Sequence, residues 1–170
     1  EVKAKIKKRS EPVEVMVPQV VEITEKDMYG GDLTEIMEMM EDMVSQVDTE
    51  IIFVNDPDKK EKTKSINEKL IKAGSNMLSK EKEESWKDLP QATQSETATK
   101  LIESMETSAF QMADSIDMPL SAPIVHVDVN IVMEVDVVDP KSNYVSDVVF
   151  PPPQARELSW VQGDSITIPG

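Results

Sequence analysis

Cysteine is absent from this 170-residue chain. Disulfides, thiolate metal sites and cysteine nucleophiles are thereby excluded from it. Histidine occurs once, at His126, so a histidine dyad or a multi-histidine metal cluster is excluded too. Only seven aromatic residues are present, two Trp, two Tyr and three Phe, and they are scattered. That leaves no stacking platform for bases or sugars. Glycine numbers five, and Gly30-Gly31 does not belong to a phosphate-cradling pattern. No apolar run approaches the roughly 20 residues that span a bilayer. No signal peptide is visible, and the chain begins at Glu1 without a Met, as expected of a fragment or a processed piece. Asn55, Asn67, Asn76, Asn130 and Asn143 all lack Ser or Thr two positions on, so there is no N-glycosylation sequon. The missing cysteines and sequons favour an intracellular protein.

What is present is acid. Thirty-three Asp and Glu face eighteen Lys and Arg, a net charge of −15. Nucleic acid and anionic membranes are poor partners for such a surface, because phosphate affinity rests on clustered cations. The exception is the start of the chain, where Lys3, Lys5, Lys7, Lys8 and Arg9 oppose a single acid, Glu1. This stretch reads as a solvated face. Hydrophobic residues make up 39% of the chain, enough for a core in one medium domain or two small ones.

Residues 1–26 read as a linker or short kinked helices, since Pro18 lies too far inside for a regular helix. Asp32 with Glu35 has the spacing of a capping box, followed by Leu33, Ile36, Met37, Met40, Val44 and Val47 on one helical face. The five methionines between 28 and 43 are expected to be ordinary core. Residues 51–54 continue a helical turn into a packed loop. Asn55–Asp58 opens a helix whose apolar stripe is Ile66, Leu70, Ala73 and Met77. Trp86 and Leu89 pack the chain down before Pro90. Thr93 with Glu96 marks another start, and Ala98, Leu101, Ile102, Met105, Ala109, Met112, Ala113 and Ile116 share a face of a helix about 33 Å long.

The period then changes from 3.6 to two. Val125, Val127, Val129, Ile131, Met133, Val135 and Val137 alternate with mostly polar neighbours, which predicts one long half-buried strand. Its odd-numbered face should be covered, and His126, Asp128 and Glu134 should face water. Residues 139–143 form a turn, Val145–Phe150 the natural hairpin partner, and Ser165–Ile168 a third short strand. Three strands cannot bury such a face, so strands from outside residues 1–170 are expected to cover it. The fold class is α+β: a helical bundle over 27–118, then over 119–170 the opening antiparallel strands of an incomplete β-sandwich.

Reactive constellations are lacking. His126 beside Asp128 is read as a surface histidine, not a base or ligand. Asp128, Glu134 and Asp136 share a strand face near Asp139, but no calcium-loop spacing is present. No catalytic, cofactor-binding or metal-binding residue is therefore assigned, and no enzyme is expected.

Two stretches carry a resemblance. Ser85-Trp86-Lys87-Asp88, Ala98-Thr99-x-Leu101-Ile102, Ser108-Ala109-Phe110 and Ala113-Asp114 are similar to the last long helix of subdomain A in the GAIN region of latrophilin-type adhesion G-protein-coupled receptors. Val127–Thr167, with its Val-rich run and Val149-Phe150-Pro151, resembles the opening of subdomain B. Tyr29-x-Gly31-Asp32 adds weaker support, and residues 1–20 match poorly. The resemblance implies a non-catalytic extracellular fragment of a receptor. In that family a helical subdomain and a β-sandwich lead to a self-cleaving His-Leu-Thr/Ser tripeptide and hold a tethered agonist for a seven-helix region. Its partners would be the remaining strands and the seven-helix region of the same receptor, with protein ligands on other cells bound through domains elsewhere. The tripeptide is not here, since Val127 and Asp128 follow His126, so self-cleavage attaches to no residue of this chain. An intracellular acidic helical scaffold or interaction module is the alternative.

Overall fold

The computed structural model describes residues 11–116, 123–137, 148–161 and 165–168. Among the described residues four long helices form the body: α1 Val13–Thr24, α2 Gly30–Val47, α3 Lys59–Met77 and, after the short α4 Glu83–Lys87, α5 Gln91–Asp114. Each buries the stripe that its apolar spacing dictates. Leu33, Met37, Met40 and Met43 of α2 meet Leu70, Ile71 and Met77 of α3 and Met112 of α5 in one core. Helix α3 lies at the centre of the bundle, packed against both α1 and α5. Methionine fills this core because an unbranched thioether adapts to irregular gaps.

Residues 13–24 correct the expectation of a linker or split helices. They form a continuous helix whose Val13, Met16, Val17 and Val20 are fully buried. Pro18 is exposed, so the carbonyl its missing N–H leaves free belongs to the solvent face. The start of α1 is capped from a distance, by the Val13 amide donating to the Glu50 carboxylate at 2.9 Å. Helix α2 begins earlier than its sequence suggested. Tyr29 is the N-cap, and Asp32 accepts a hydrogen bond from the Tyr29 amide at 2.9 Å, acting from the third helical position. Helix α5 likewise starts right after Pro90, not at Thr93. Asp48–Ile52 is a single π-helical turn that carries the chain out of α2.

The long strand is the largest correction. Residues 124–135 fold back on themselves as a hairpin, β1 Ile124–Val127 paired antiparallel with β2 Val132–Val135. The pairs Ile124↔Val135 and His126↔Met133 place even residues of β1 on the same face as odd residues of β2. The single odd-numbered face therefore does not exist. Ile124, Ile131, Met133 and Val135 pack on the helical core, while Val129, at the tip, is 64% exposed. Val148–Phe150 (β3) pairs not with this run but with Ile166–Ile168 (β4). The intervening stretch 138–147, including the expected turn and Asp139, lies outside the described residues. The result is an α+β fold, helical and, among the described residues, with two short two-stranded antiparallel sheets at its C-terminal end.

Leu101 is buried against Gly74, where an added Cβ would lie 3.2 Å from a Leu101 methyl. Leu101→Ala should cost about 2–5 kcal/mol in a denaturant melt. Gly30 and Gly31 offer a paired test. A Cβ at Gly30 would stand 3.0 Å from the Ser85 carbonyl, whereas one at Gly31 meets nothing within 4 Å. Gly30→Ala should destabilise by about 1–3 kcal/mol, and Gly31→Ala should stabilise by about 0.4–1 kcal/mol. Equal effects of the two would contradict the packing of α4 against α2.

The helix–hairpin junction as a candidate functional site

The last turn of α3 presents small and polar residues where a bundle helix would ordinarily end in solvent. Ser75 is buried there, and the tip of the β1–β2 hairpin comes down onto it. Its hydroxyl donates to the Asp128 carboxylate at 2.8 Å and accepts from the Asn130 amide at 3.1 Å. Its backbone carbonyl accepts from the Asn130 side-chain amide at 2.9 Å. One serine thus grips both ends of a turn more than fifty residues away in sequence.

The turn is built to be gripped. Asp128 N–H donates to the Ile131 carbonyl at 2.8 Å, closing it, and the Asp128 carboxylate accepts from the Val129 amide at 2.6 Å. Lys72, one turn back on α3, forms an ion pair with the same carboxylate at 3.3 Å. Trp160 reaches over the tip and donates its indole N–H to the Val129 carbonyl at 2.7 Å. The Asp128 side chain is only 11% exposed. Burial alone would raise its pKa, but the hydrogen bonds from Ser75 and the Val129 amide, with Lys72, outweigh it and hold the carboxyl below its ordinary value.

These positions revise the expectation that His126, Asp128 and Glu134 face water. Asp128 does not face water; it is the anchor of the junction. His126 is half-buried on the same hairpin face as Met133, and its Nε2 is enclosed without a hydrogen-bond partner. Glu134 also has an enclosed, unpartnered carboxylate oxygen, and Asp136 is exposed. Among the described residues no three His, Cys, Asp or Glu side chains gather in a way that could hold a metal ion. Ser75 and Asn130 gave no sequence signal, because a lone serine in a helix and an asparagine inside an apparent strand are ordinary until the turn is seen.

Beside the junction, α5 and the hairpin diverge and leave an open groove of about 660 Å³. Ile102, expected in the core face of its helix, is 60% exposed on its wall. The buried line of α5 runs instead through Thr97, Leu101, Met105, Ser108 and Met112. No described helix is long and apolar enough to cross a membrane.

Comparison with known proteins gives consistent matches. The family model described as AGRL2-4 GAIN subdomain A covers residues 1–113. The adhesion G protein-coupled receptor L1 of Rattus norvegicus is 30% identical over 149 residues, which is 80% of this chain and 10% of that protein. Its Homo sapiens counterpart is 28% identical over 158 residues, 85% of the chain and 10% of that protein. Latrophilin Cirl of Drosophila mojavensis is 34% identical over 151 residues, 85% of the chain and 8% of that protein. The chain spans at most a tenth of the length of these relatives.

Removing the Ser75 hydroxyl strands the buried Asp128 and Asn130 groups together, so Ser75→Ala should cost about 1–3 kcal/mol. The pH dependence has a definite sign. Because the folded pKa of Asp128 is depressed, its stabilisation is present above the ordinary carboxyl value of 3.8 and is lost as pH falls through the lower folded value. The stability gap between the native chain and Asp128→Asn should therefore be widest at neutral pH and close in acid. A constant gap down to about pH 2 would show that the carboxylate charge is not what holds the turn.

Proposed function

The chain belongs to the GAIN family of latrophilin-type adhesion receptors, and from that premise we propose that it acts as a non-catalytic bracket on the extracellular side of the plasma membrane. The observation that carries this reading is the junction at Ser75. A helical bundle that matches subdomain A grips, through one buried hydroxyl, the hairpin that follows it. In this reading residues 27–118 are subdomain A and residues 119–170 open subdomain B, with α1 belonging to the bundle as well. The remaining strands come from the same receptor and complete the sandwich.

The bracket's work is mechanical. It fixes the orientation of the first subdomain B strands, and these template the strands that hold a tethered agonist away from the seven-helix region. Self-cleavage, where it occurs, belongs to residues outside this chain. Protein ligands on other cells would engage domains elsewhere in the receptor. No cofactor and no nucleic acid enter this role, and the segment itself does not insert into the membrane.

Two measurements test the reading. Antibody raised against residues 91–114 should stain intact, unpermeabilised cells that express the parent protein. Staining only after permeabilisation would favour the intracellular acidic scaffold instead. In the complete extracellular region, Ser75→Ala combined with Asn130→Ala should weaken retention of the C-terminal strand and raise basal signalling. Unchanged retention and signalling, with the protein at the surface, would remove the bracket.

A further inference from the structure

Seven enclosed side-chain nitrogen and oxygen atoms among the described residues lack a hydrogen-bond partner, and four of them belong to three helices of the bundle. These four are Gln46 Oε1 on α2, Asn67 Oδ1 on α3, and Ser108 Oγ and Gln111 Oε1 on α5. Each of the four residues is 4% exposed or less. Native interiors leave few such groups unmet, so a concentration of them calls for one common cause.

Helical register brings them to one level. The Gln111 side-chain amide donates to the Val44 carbonyl and the Asp48 carboxylate, so this turn of α5 lies against the end of α2, where Gln46 sits between those two residues. Ser108 is one turn before Gln111 on the same side of α5. Helix α3 runs antiparallel to α5. It ends at Met77, whose carbonyl bonds the Trp86 indole just ahead of α5, and its Gly74 meets Leu101 and Met105. Seven residues make close to two full turns. Asn67, seven before Gly74, therefore stands opposite Ser108 and Met112, which are seven beyond Leu101 and Met105. Val47, Leu70 and Met112 at this level are fully buried, so bulk solvent does not serve the polar groups among them.

Turning the amides over does not satisfy them. Gln111 Nε2 already holds Val44 and Asp48, and Asn67 Nδ2 holds the Thr63 carbonyl at 2.9 Å. A reversed amide would set oxygen against oxygen at each place. The Asn67 and Gln111 oxygens therefore face inward as acceptors, and the single hydrogen of the Ser108 hydroxyl cannot meet them all.

We propose that this layer is a binding site for internal water, in which about two molecules, each making roughly three hydrogen bonds, join Gln46, Asn67, Ser108 and Gln111. Water suits the group because it donates to the amide oxygens and accepts from the serine. A metal cation suits it poorly, since the four side chains are neutral and a buried charge is costly without an opposing one. The bound water ties α2, α3 and α5 together at one height. In a core filled with adaptable methionine, such a layer fixes which turn of each helix faces which, because any slip strands the amides again.

The test is nuclear magnetic resonance of the 1–170 chain. Long-lived water should give cross-peaks, with the sign of a bound molecule, to the side-chain amide protons of Asn67 and Gln111. In Ser108→Ala and in Asn67→Leu, a replacement of similar size, the Gln111 cross-peak should disappear while the backbone spectrum stays dispersed. If Asn67→Leu does not fold, Ser108→Ala and the native protein still decide the matter. No water cross-peak at either amide in the folded native chain overturns the proposal, since the side chains must then satisfy one another directly. A Gln111 cross-peak that persists in the folded variants also overturns it, because the water would lie elsewhere. A melting temperature raised by sodium or potassium chloride, but not by tetramethylammonium chloride at equal ionic strength, assigns the layer to a cation and overturns it too.

Discussion

Four consecutive residues at the end of α3 hold the rest of the molecule in place. Gly74 lets Leu101 and Met105 of α5 approach the helix backbone closely. Ser75 grips the hairpin turn. The Asn76 side-chain amide donates to the Thr24 hydroxyl at the end of α1, at 3.0 Å. The Met77 carbonyl accepts from the Trp86 indole at 2.8 Å. Successive helical residues point about 100° apart, so four of them sweep the full circumference. The end of α3 is an axle, and each neighbour is fastened to a different side of it. The junction with the strands is one of these four attachments and shares their rigidity.

This arrangement explains why the core can be so plain. Met16, Met28, Met37, Met39, Met40, Met43, Met77, Met105 and Met112 are all buried, and no Phe, Tyr or Trp among the described residues is. Flexible thioethers fill space well but specify geometry poorly. Specificity must come from elsewhere, and the polar contacts that rim the core supply it. Gln111 of α5 donates to the Val44 carbonyl and to Asp48 at the end of α2, at 2.8 and 3.0 Å. Lys82 and Ser85 donate to the carbonyls of Lys26 and Met28, pinning the α4 region to the loop before α2. Each such contact is modest in net energy but costly to leave unmade, so each penalises a shifted register.

The helices were legible in the sequence because their signal is local and repeats every 3.6 residues. Ile66, Leu70 and Met77, or Leu101, Met105 and Met112, announce their faces without reference to anything else. The features that were not legible depend on distant residues. Helix α1 lacks a local side-chain cap and takes Glu50 as its partner, 37 positions away. The hairpin turn Asp128-Val129-Asn130-Ile131 contains neither Gly nor Pro, so in the sequence the alternation runs straight through it. Asp and Asn are turn formers, but here they bend the chain by bonding Ser75, and Trp160 secures the tip. The paired parity of β1 and β2 then followed from the turn, and the junction with it. The family resemblance drew on the α4 and α5 motifs and also on the Val-rich run that the sequence misread as one strand, and the family model matches the helical part, residues 1–113.

Coupling between the two parts of the fold is unequal, and that bears on what the junction can transmit. The buried core is almost wholly helical; of the described hairpin residues only Val135 joins it, with Ile124, Ile131 and Met133 partly buried against it. The bundle would keep most of its burial without the strands. The strands would not keep their shape without the bundle, since isolated two-stranded sheets are marginal in water. Local stability in such a molecule falls from α3 outward, and the regions that open first are those held by the fewest buried contacts. Force or acid acting at the junction would therefore be felt in the hairpin before the helices yield. A bracket with a firm base and a dependent arm suits a role in which the arm's conformation is the quantity being controlled.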